Sequence, residues 1–252
     1  MIKKIKILFY IMIFIIFLNQ SLFAQEIKTT ASSAILMEED KGQILYQKNI
    51  HKKLAPASLT KILTAVVVLE NCDLNEIVTV SRRAVEQEGS SIYLQLGEKI
   101  TIEELLYAIM LSSGNDAAVA IAEHVSSSVE EFAELMNLTA KKAGALNSNF
   151  TNPSGLPDTA HYSTAYDLAM ITRYALNYDI FREISATKNK TISWEGHDWD
   201  RGLHNHHKML WSYEGVTGGK TGYTRVAGRC LITTATRNNR KGSSVLLNSP
   251  SD

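Results

Sequence analysis

The chain has 252 residues, with 26 lysines and arginines balanced by 26 aspartates and glutamates. That length supports one large domain with a real core or two small ones, and the charge balance excludes a general nucleic-acid binder. At the N-terminus, Lys3, Lys4 and Lys6 precede the apolar run ILFYIMIFIIFL (7–18), and Ser21-Leu22-Phe23-Ala24 follows. This is the layout of a signal peptide over 1–24, cut after Ala24. The apolar run is 12 residues, and spanning a bilayer needs about 20. No cysteine lies near the cut, which argues against a lipid anchor. The expectation is an exported, extracytoplasmic chain in which 25–252 form one domain. Removing the three lysines leaves 23 basic against 26 acidic groups, a net of −3. Cys72 and Cys230 are flanked by apolar residues and read as buried free thiols.

After the leader, SAILMEED (33–40) and QILYQKN (43–49) read as a hairpin turning at Lys41-Gly42. Pro56 opens a helix over ASLTKILTAVVVLE (57–70). Thr101 with Glu104 forms a capping box for TIEELLYAIML, which stops at Ser112-Ser113-Gly114 before DAAVAIAEHV (116–125) resumes as helix. SVEEFAELMNLTAKKAGAL (128–146) carries apolar residues at helical spacing. The turn residues Asn152-Pro153-Ser154-Gly155 follow, and Thr164 with Asp167 caps AYDLAMITRYAL. From about 190 the pattern becomes β: KTISW (190–194), GYTRVAG (222–228), RCLITTATR (229–237) and SSVLLN (243–248). A hairpin in front, helices in the middle and strands at the back predict an α+β unit, a mainly antiparallel sheet flanked by helices.

The run GVTGGKTGYT (215–224) admits two readings of Lys220. A phosphate loop would need glycine at 214, where Glu214 stands, and a helix afterwards, where β-branched residues stand instead. A serine enzyme predicts partners upstream. Ser58-Leu59-Thr60-Lys61 puts a serine and a lysine on one face at a helix start. A serine hydroxyl needs a base to take its proton, and lysine serves only with a depressed pKa. The helix dipole and a second cation, Lys220, would both depress it. Ser113-Gly114-Asn115, at the break between two helices, reads either as a plain turn or as a hydroxyl relay with an amide that steadies Lys61.

S-x-x-K, S-x-N and K-T-G thus occur in order, 55 and then 107 residues apart. With PASLTKILTA, LLYAIMLSSGNDAAVAIAEHV, HYSTAYDLA and GVTGGKTGYTRVAGRCL, they make the chain resemble the low-molecular-mass serine D-alanyl-D-alanine carboxypeptidases, from about residue 30 to 252. The resemblance implies the β-lactamase/transpeptidase fold, a five-stranded antiparallel sheet with helices on both sides. It implies Ser58 as nucleophile and Lys61 as general base. Ser113 and Lys220 would pass the proton to the leaving D-alanine, and Asn115 would orient the peptide. The backbone N–H groups of Ser58 and Tyr223 would form the oxyanion hole. Lys220 and Thr221 would take the substrate carboxylate, and Gly222 would leave room for the substrate backbone. The implied partners are peptidoglycan stem peptides and β-lactams as covalent inhibitors, with no nucleic acid, no metal and no organic cofactor. Peripheral membrane association stays open.

Three departures accompany the resemblance. Tyr223 stands where relatives often have His. Asn205-His206-His207 replaces an expected N-x-N, making His207 a candidate lining residue; His204, His206 and His207 lack a companion Cys, Asp or Glu at metal-binding spacing. The chain ends at 248–252 straight after a strand, so a C-terminally incomplete domain lacking the last family helix is expected. A serine β-lactamase is the nearest rival, but its candidate base pair Glu134 and Asn137 falls inside a helical pattern rather than a loop. A cross-link endopeptidase using the same residues and a non-catalytic peptidoglycan-binding form are the others.

Overall fold

A computed structural model describes residues 27–250; the expected signal peptide, 1–24, lies outside the described residues. At the start of the described residues, β1 (Ser33–Glu38) and β2 (Ile44–Lys48) form the expected hairpin. A single 3-10 turn, Ala57–Leu59, leads into α1 (Thr60–Asn71). Pro56 therefore precedes a 3-10 turn rather than opening the α-helix, and Ala57 takes a left-handed φ of 49°. Helix α1 contains the β-branched run Val66–Val68, yet it is helical because it is buried on every side from Thr60 to Val68. An all-round buried helix is held by packing, which overrides propensity.

Two short strands, β3 (Ile77–Thr79) and β4 (Lys99–Thr101), pair antiparallel and bracket the one-turn helix α2 (Arg82–Val85). The capping box forms as predicted: Glu104 N donates to Thr101 Oγ1 at 3.2 Å, and Thr101 N donates to Glu104 Oε2 at 3.1 Å. It starts α3 (Ile102–Tyr107), which then widens into a π turn, Ala108–Ser112. Helices α4 (Asn115–Ser126) and α5 (Val129–Lys142) complete this helical lobe around α1.

Helices α6 (Ala165–Ala175) and α7 (Asp179–Ala186) return the chain to the sheet. A small hairpin of β5 (Asn189–Ile192) and β6 (Arg201–His204) and the short helix α8 (Lys208–Ser212) follow. The chain then runs through β7 (Val216–Thr224), β8 (Gly228–Arg237) and β9 (Arg240–Ser249). The five-stranded sheet has the order β2-β1-β9-β8-β7, with every pair antiparallel. The last strand of the chain thus sits beside the first, as a sheet built from both ends requires. The stretch 222–228, predicted as one strand, is split: 225–227 make the β7–β8 turn, closed by Ala227 N donating to Thr224 Oγ1. One sheet face, carrying Ile35, Met37, Ile232, Val245 and Leu247, is buried, with α6 against β1 and β9 and α7 against β7. The opposite face, with Leu36, Leu231 and Leu246, is only half-buried among the described residues.

Strand β7 is an edge strand, and the 3-10 turn at Ala57–Leu59 packs against it. The contact between the two lobes therefore falls where β7 meets the start of α1. A buried ion pair ties the β5–β6 hairpin to the loop before β4. Arg201 Nη1 and Nη2 donate to Glu98 at 2.9 and 3.1 Å, with the side chains 5 % and 2 % exposed.

Candidate active site

The residues singled out in the sequence meet at that lobe contact. Ser58, in the 3-10 turn, faces Lys61 one turn on, with Lys61 Nζ 3.3 Å from Ser58 Oγ. Lys61 Nζ also lies 2.7 Å from Asn115 Oδ1 and 2.8 Å from the Ser154 carbonyl oxygen. Those two partners only accept, so in the neutral form of the amine they take its two N–H bonds. The Ser58 hydroxyl is then the one partner able to donate, and the lysine lone pair is left for it. The Asn115 amide orientation is fixed from the other side, since Nδ2 donates to Glu88 O at 2.5 Å.

The electrostatics favour the same state. Lys61 is fully buried, and burial holds its pKa well below the ordinary 10.5; Lys220 lowers it further, while Asp116 pulls the other way. Lys220 is itself 1 % exposed, and burial brings it down to about 7. Its Nζ donates to the Thr221 carbonyl at 3.1 Å. Desolvation penalises the charged amine, so the site favours a neutral Lys61, the form able to accept a proton.

Ser113 and Asn115 owe their placement to the π turn. It adds a residue to the helix, and Ser113 ends it in a left-handed conformation (φ 62°) before α4 begins at Asn115. Insertions of this kind recur at functional sites. Asn115 N donates to Ser90 O at 2.7 Å, anchoring the junction to the loop after α2. Ser58, Ser113, Thr221, Gly222 and Tyr223 line one cleft of about 640 Å³. On β7, Lys220 and Gly222 point inward, while Tyr223 is 61 % exposed with the Arg229 guanidinium 5.5 Å from its ring. A Cβ on Gly222 would lie 3.0 Å from Ser58 N and 3.2 Å from Ala57 Cβ. The space this glycine leaves is therefore filled first by the backbone of the Ser58 turn, a closer role than room for a substrate.

Several supporting groups carry no signature in the sequence. The Ser154 carbonyl is one, because a backbone acceptor has no residue type to read. Its loop is pinned by Asn152 Oδ1, which accepts from the backbone N–H groups of Ser154 and Gly155, and by Thr64 Oγ1 donating to Pro153 O. The buried Asp116 carboxylate accepts from Ser91 Oγ and from Ile92 and Leu94 backbone N–H groups, ordering the loop beside Asn115. His161 completes the floor under α1: Thr151 N donates to its Nδ1, so the protonated Nε2 donates to Thr60 Oγ1 at 2.9 Å.

The histidine cluster is dispersed. His204 stacks on Trp211 with Nδ1 bonded to Asn189, while His206 borders the cleft. His207 is buried; its Nδ1 accepts from Leu210 N, so Nε2 donates toward Ile232 O and Thr233 Oγ1 at 3.1 and 3.0 Å. It forms part of the cleft floor with both ring nitrogens spent on α8 and β8. Glu134 lies on the exposed side of α5, and Asn137 is engaged with Ala133 and Phe150, so neither reaches the cleft. Cys72 and Cys230 are both free thiols, as expected, although Cys72 is only half-buried.

Comparison with known proteins identifies the family. A family model described as D-alanyl-D-alanine carboxypeptidase matches residues 20–251. The D-alanyl-D-alanine carboxypeptidase DacF of Bacillus subtilis is 40 % identical over 226 residues, 88 % of this chain and 58 % of that protein. DacC of Escherichia coli is 35 % identical over 234 residues, again 88 % of this chain and 57 % of the relative. The chain thus spans somewhat over half the length of these two curated relatives. Among solved structures, a D-alanyl-D-alanine carboxypeptidase from Mycobacterium tuberculosis superposes with a TM-score of 0.86 at 29 % identity, covering 91 % of this chain and 88 % of that one. A mutant of the Streptomyces K15 DD-transpeptidase gives 0.84 at 33 % identity, covering 90 % and 93 %. The antiparallel sheet, the serine–lysine helix and these matches together show that the chain belongs to the D-alanyl-D-alanine carboxypeptidase family.

Proposed function

We propose that the chain is a serine-type D-alanyl-D-alanine carboxypeptidase that removes the terminal D-alanine from peptidoglycan stem peptides. The observation that carries this reading is the set of groups around Lys61 Nζ: two obligate acceptors take two of its positions, and Ser58 Oγ, the one of the three that can also donate, lies 3.3 Å away. Lys61 takes the Ser58 proton as Oγ attacks the carbonyl between the two D-alanines. The tetrahedral oxyanion is held by the backbone N–H groups of Ser58 and Tyr223, one such donor being worth about 3 kcal/mol of barrier. The proton then passes through Ser113, with Lys220 assisting, to the departing D-alanine nitrogen. Lys220 and the Thr221 hydroxyl hold the terminal carboxylate, while Asn115 orients the peptide along the β7 edge, whose unpaired backbone suits an extended chain. Water attacks the acyl-enzyme and restores the Ser58 hydroxyl. None of these steps draws on a metal or organic cofactor.

The signal-peptide layout expected over 1–24 supports a reaction outside the cytoplasm, on the cell-wall side of the membrane. No helix among the described residues is long and apolar enough to cross a membrane. β-Lactams, which mimic the substrate carbonyl, acylate Ser58 on this reading and remain, because Glu134 lies on the exposed side of α5, away from the cleft.

The test is product analysis on a pentapeptide ending in D-Ala-D-Ala and on a cross-linked dimer, with wild type and Ser58→Ala. Release of one D-alanine from the pentapeptide, lost in Ser58→Ala, supports the reading. Cleavage of the dimer alone identifies an endopeptidase. Release of neither, with cleft and fold intact, leaves a non-catalytic binding form.

A further inference from the structure

A second cluster of chemistry-bearing side chains lies at the far end of the two helices that hold the candidate active site. Cys72 caps the C-terminus of α1, its N–H donating to Val68 O at 2.9 Å. Glu76 lies four residues on, just before β3. His124 occupies the last turn of α4. The thiol sulfur, a carboxylate oxygen and an imidazole nitrogen of these three all lie within 4.8 Å of one another. The serine–lysine pair sits at the other end of α1, which at 1.5 Å per residue is about 18 Å long.

We propose that Cys72, Glu76 and His124 form a binding site for a borderline-soft divalent cation, zinc by chemical class, that clips the C-terminal end of α1 to that of α4.

Four observations carry this. The donor set is one thiolate, one imidazole and one carboxylate, the mixture zinc takes in tetrahedral sites, with the fourth position left to water. The edge between two donors is already set: His124 Nε2 lies 3.0 Å from Glu76 Oε2. Bond lengths near 2.0–2.1 Å around a tetrahedral ion would place two such ligands about 3.3 Å apart. Glu76 is also aimed before any ion arrives, since its other oxygen accepts from Asp73 N at 2.6 Å, leaving Oε2 turned toward His124. Finally, the local charge favours a cation. The charges bearing on the Cys72 thiol are Glu76 and Asp73, both negative, and the C-terminal ends of two helices add partial negative charge.

Binding is a proton exchange without redox change. The thiol loses its proton to solvent as the metal–sulfur bond forms. The imidazole, whose Nε2–H bonds Glu76 before the ion arrives, passes that proton by way of solvent to Nδ1 and gives the metal its Nε2 lone pair, and Glu76 exchanges its bond with His124 for one to the metal. Because the thiol gives up its proton on binding, affinity rises with pH. The sequence gave no reason to join Cys72 and Glu76 to His124, 48 residues after Glu76; the packing of α1 on α4 supplies that.

The test uses the purified chain, stripped with a chelator and titrated with Zn²⁺ and separately with Co²⁺. One equivalent is expected, with cobalt showing the near-ultraviolet thiolate charge-transfer band and the visible bands of tetrahedral coordination. Both are lost in Cys72→Ala and in His124→Gln and kept in His204→Gln. Zinc at 100 times its Kd raises the folded-to-unfolded ratio about 100-fold. Should either variant fail to fold, the wild type decides: zinc shields Cys72 from iodoacetamide at least tenfold, read by peptide mass spectrometry, with Cys230 as the internal reference. Binding unchanged in Cys72→Ala and His124→Gln, a cobalt spectrum without the thiolate band, or unshielded Cys72 at saturating zinc overturns the proposal.

Discussion

Adding one methyl group to Gly222 tests how the edge strand and the serine turn work together. Gly222 has no backbone conformation that excludes alanine, but the new Cβ would meet Ser58 N at 3.0 Å, Ala57 Cβ at 3.2 Å and Leu59 N at 3.3 Å. These are tight contacts rather than overlaps, so β7 and the Ser58 turn would move apart by a few tenths of an ångström. The motion separates Ser58 N from Tyr223 N, the two donors assigned to the oxyanion. A misplacement of about 1 Å costs about 100-fold in rate, and losing one donor outright costs about 3 kcal/mol. For Gly222→Ala we expect acylation by benzylpenicillin to fall about 10- to 100-fold, or roughly 1.4–2.7 kcal/mol of barrier. Stability should fall by under about 1 kcal/mol. Gly219, three residues back on the same strand, is the contrast. Its φ is 141°, and a Cβ there would lie 2.0 Å from Ile232 O, inside the β7–β8 ladder. Gly219→Ala should cost about 3 kcal/mol or more of stability. The assay pairs the rate of Ser58 adduct formation, by intact-mass spectrometry, with urea unfolding. A stable Gly222→Ala protein that acylates at the wild-type rate would refute the reasoning.

Further consequences concern charge. Lys220 titrates at about 7 when folded against 10.5 for an unperturbed lysine, so between those values the unfolded chain holds more protons and stability rises with pH. Lys220→Met should remove that rise, a difference on the order of 5 kcal/mol across the full window; urea unfolding of both proteins at neutral and alkaline pH reads it, and parallel pH profiles would count against a buried neutral Lys220. Glu98→Gln leaves the Arg201 guanidinium buried without its anion and should cost about 3–5 kcal/mol. A loss well under 1 kcal/mol by the same method would mean the β5–β6 hairpin is not held by that pair. Thr101→Ala removes the capping box at α3 and should cost about 1 kcal/mol, with no effect on the pH dependence of acylation.

The groups legible in the sequence are those whose residue type and local spacing carry the chemistry. Ser58 and Lys61 share a helical face by spacing alone, and Thr101 with Glu104 forms the cap their spacing promised. Lys220 lies on a strand, and another strand follows it, as Glu214 and the β-branched residues indicated. The capped helices and most of the late strands fall near their predicted places for the same reason. What could not be read depends on long-range packing. The Ser154 carbonyl reaches Lys61 only because the loop at 152–155 folds over α1. The π turn that presents Ser113 looks like ordinary helix in sequence, since an extra residue in a turn leaves the apolar pattern intact. Strands β3 and β4 are three residues each, too short for an alternation to register. The turn at 225–227 was hidden inside a run read as one strand. His207 stood out as a departure, but its role as a buried strut appears only when both ring nitrogens are traced to their partners.

The central claim is that Lys61 is a neutral amine poised to take the Ser58 proton. The most direct measurement is the pH dependence of the second-order rate of Ser58 acylation by benzylpenicillin. The account predicts an acid limb well below the ordinary lysine value of 10.5, with the rate already level in the alkaline range below that value. A rate that keeps climbing tenfold per pH unit up to 10.5 would show a Lys61 protonated like any exposed lysine, and would contradict the account.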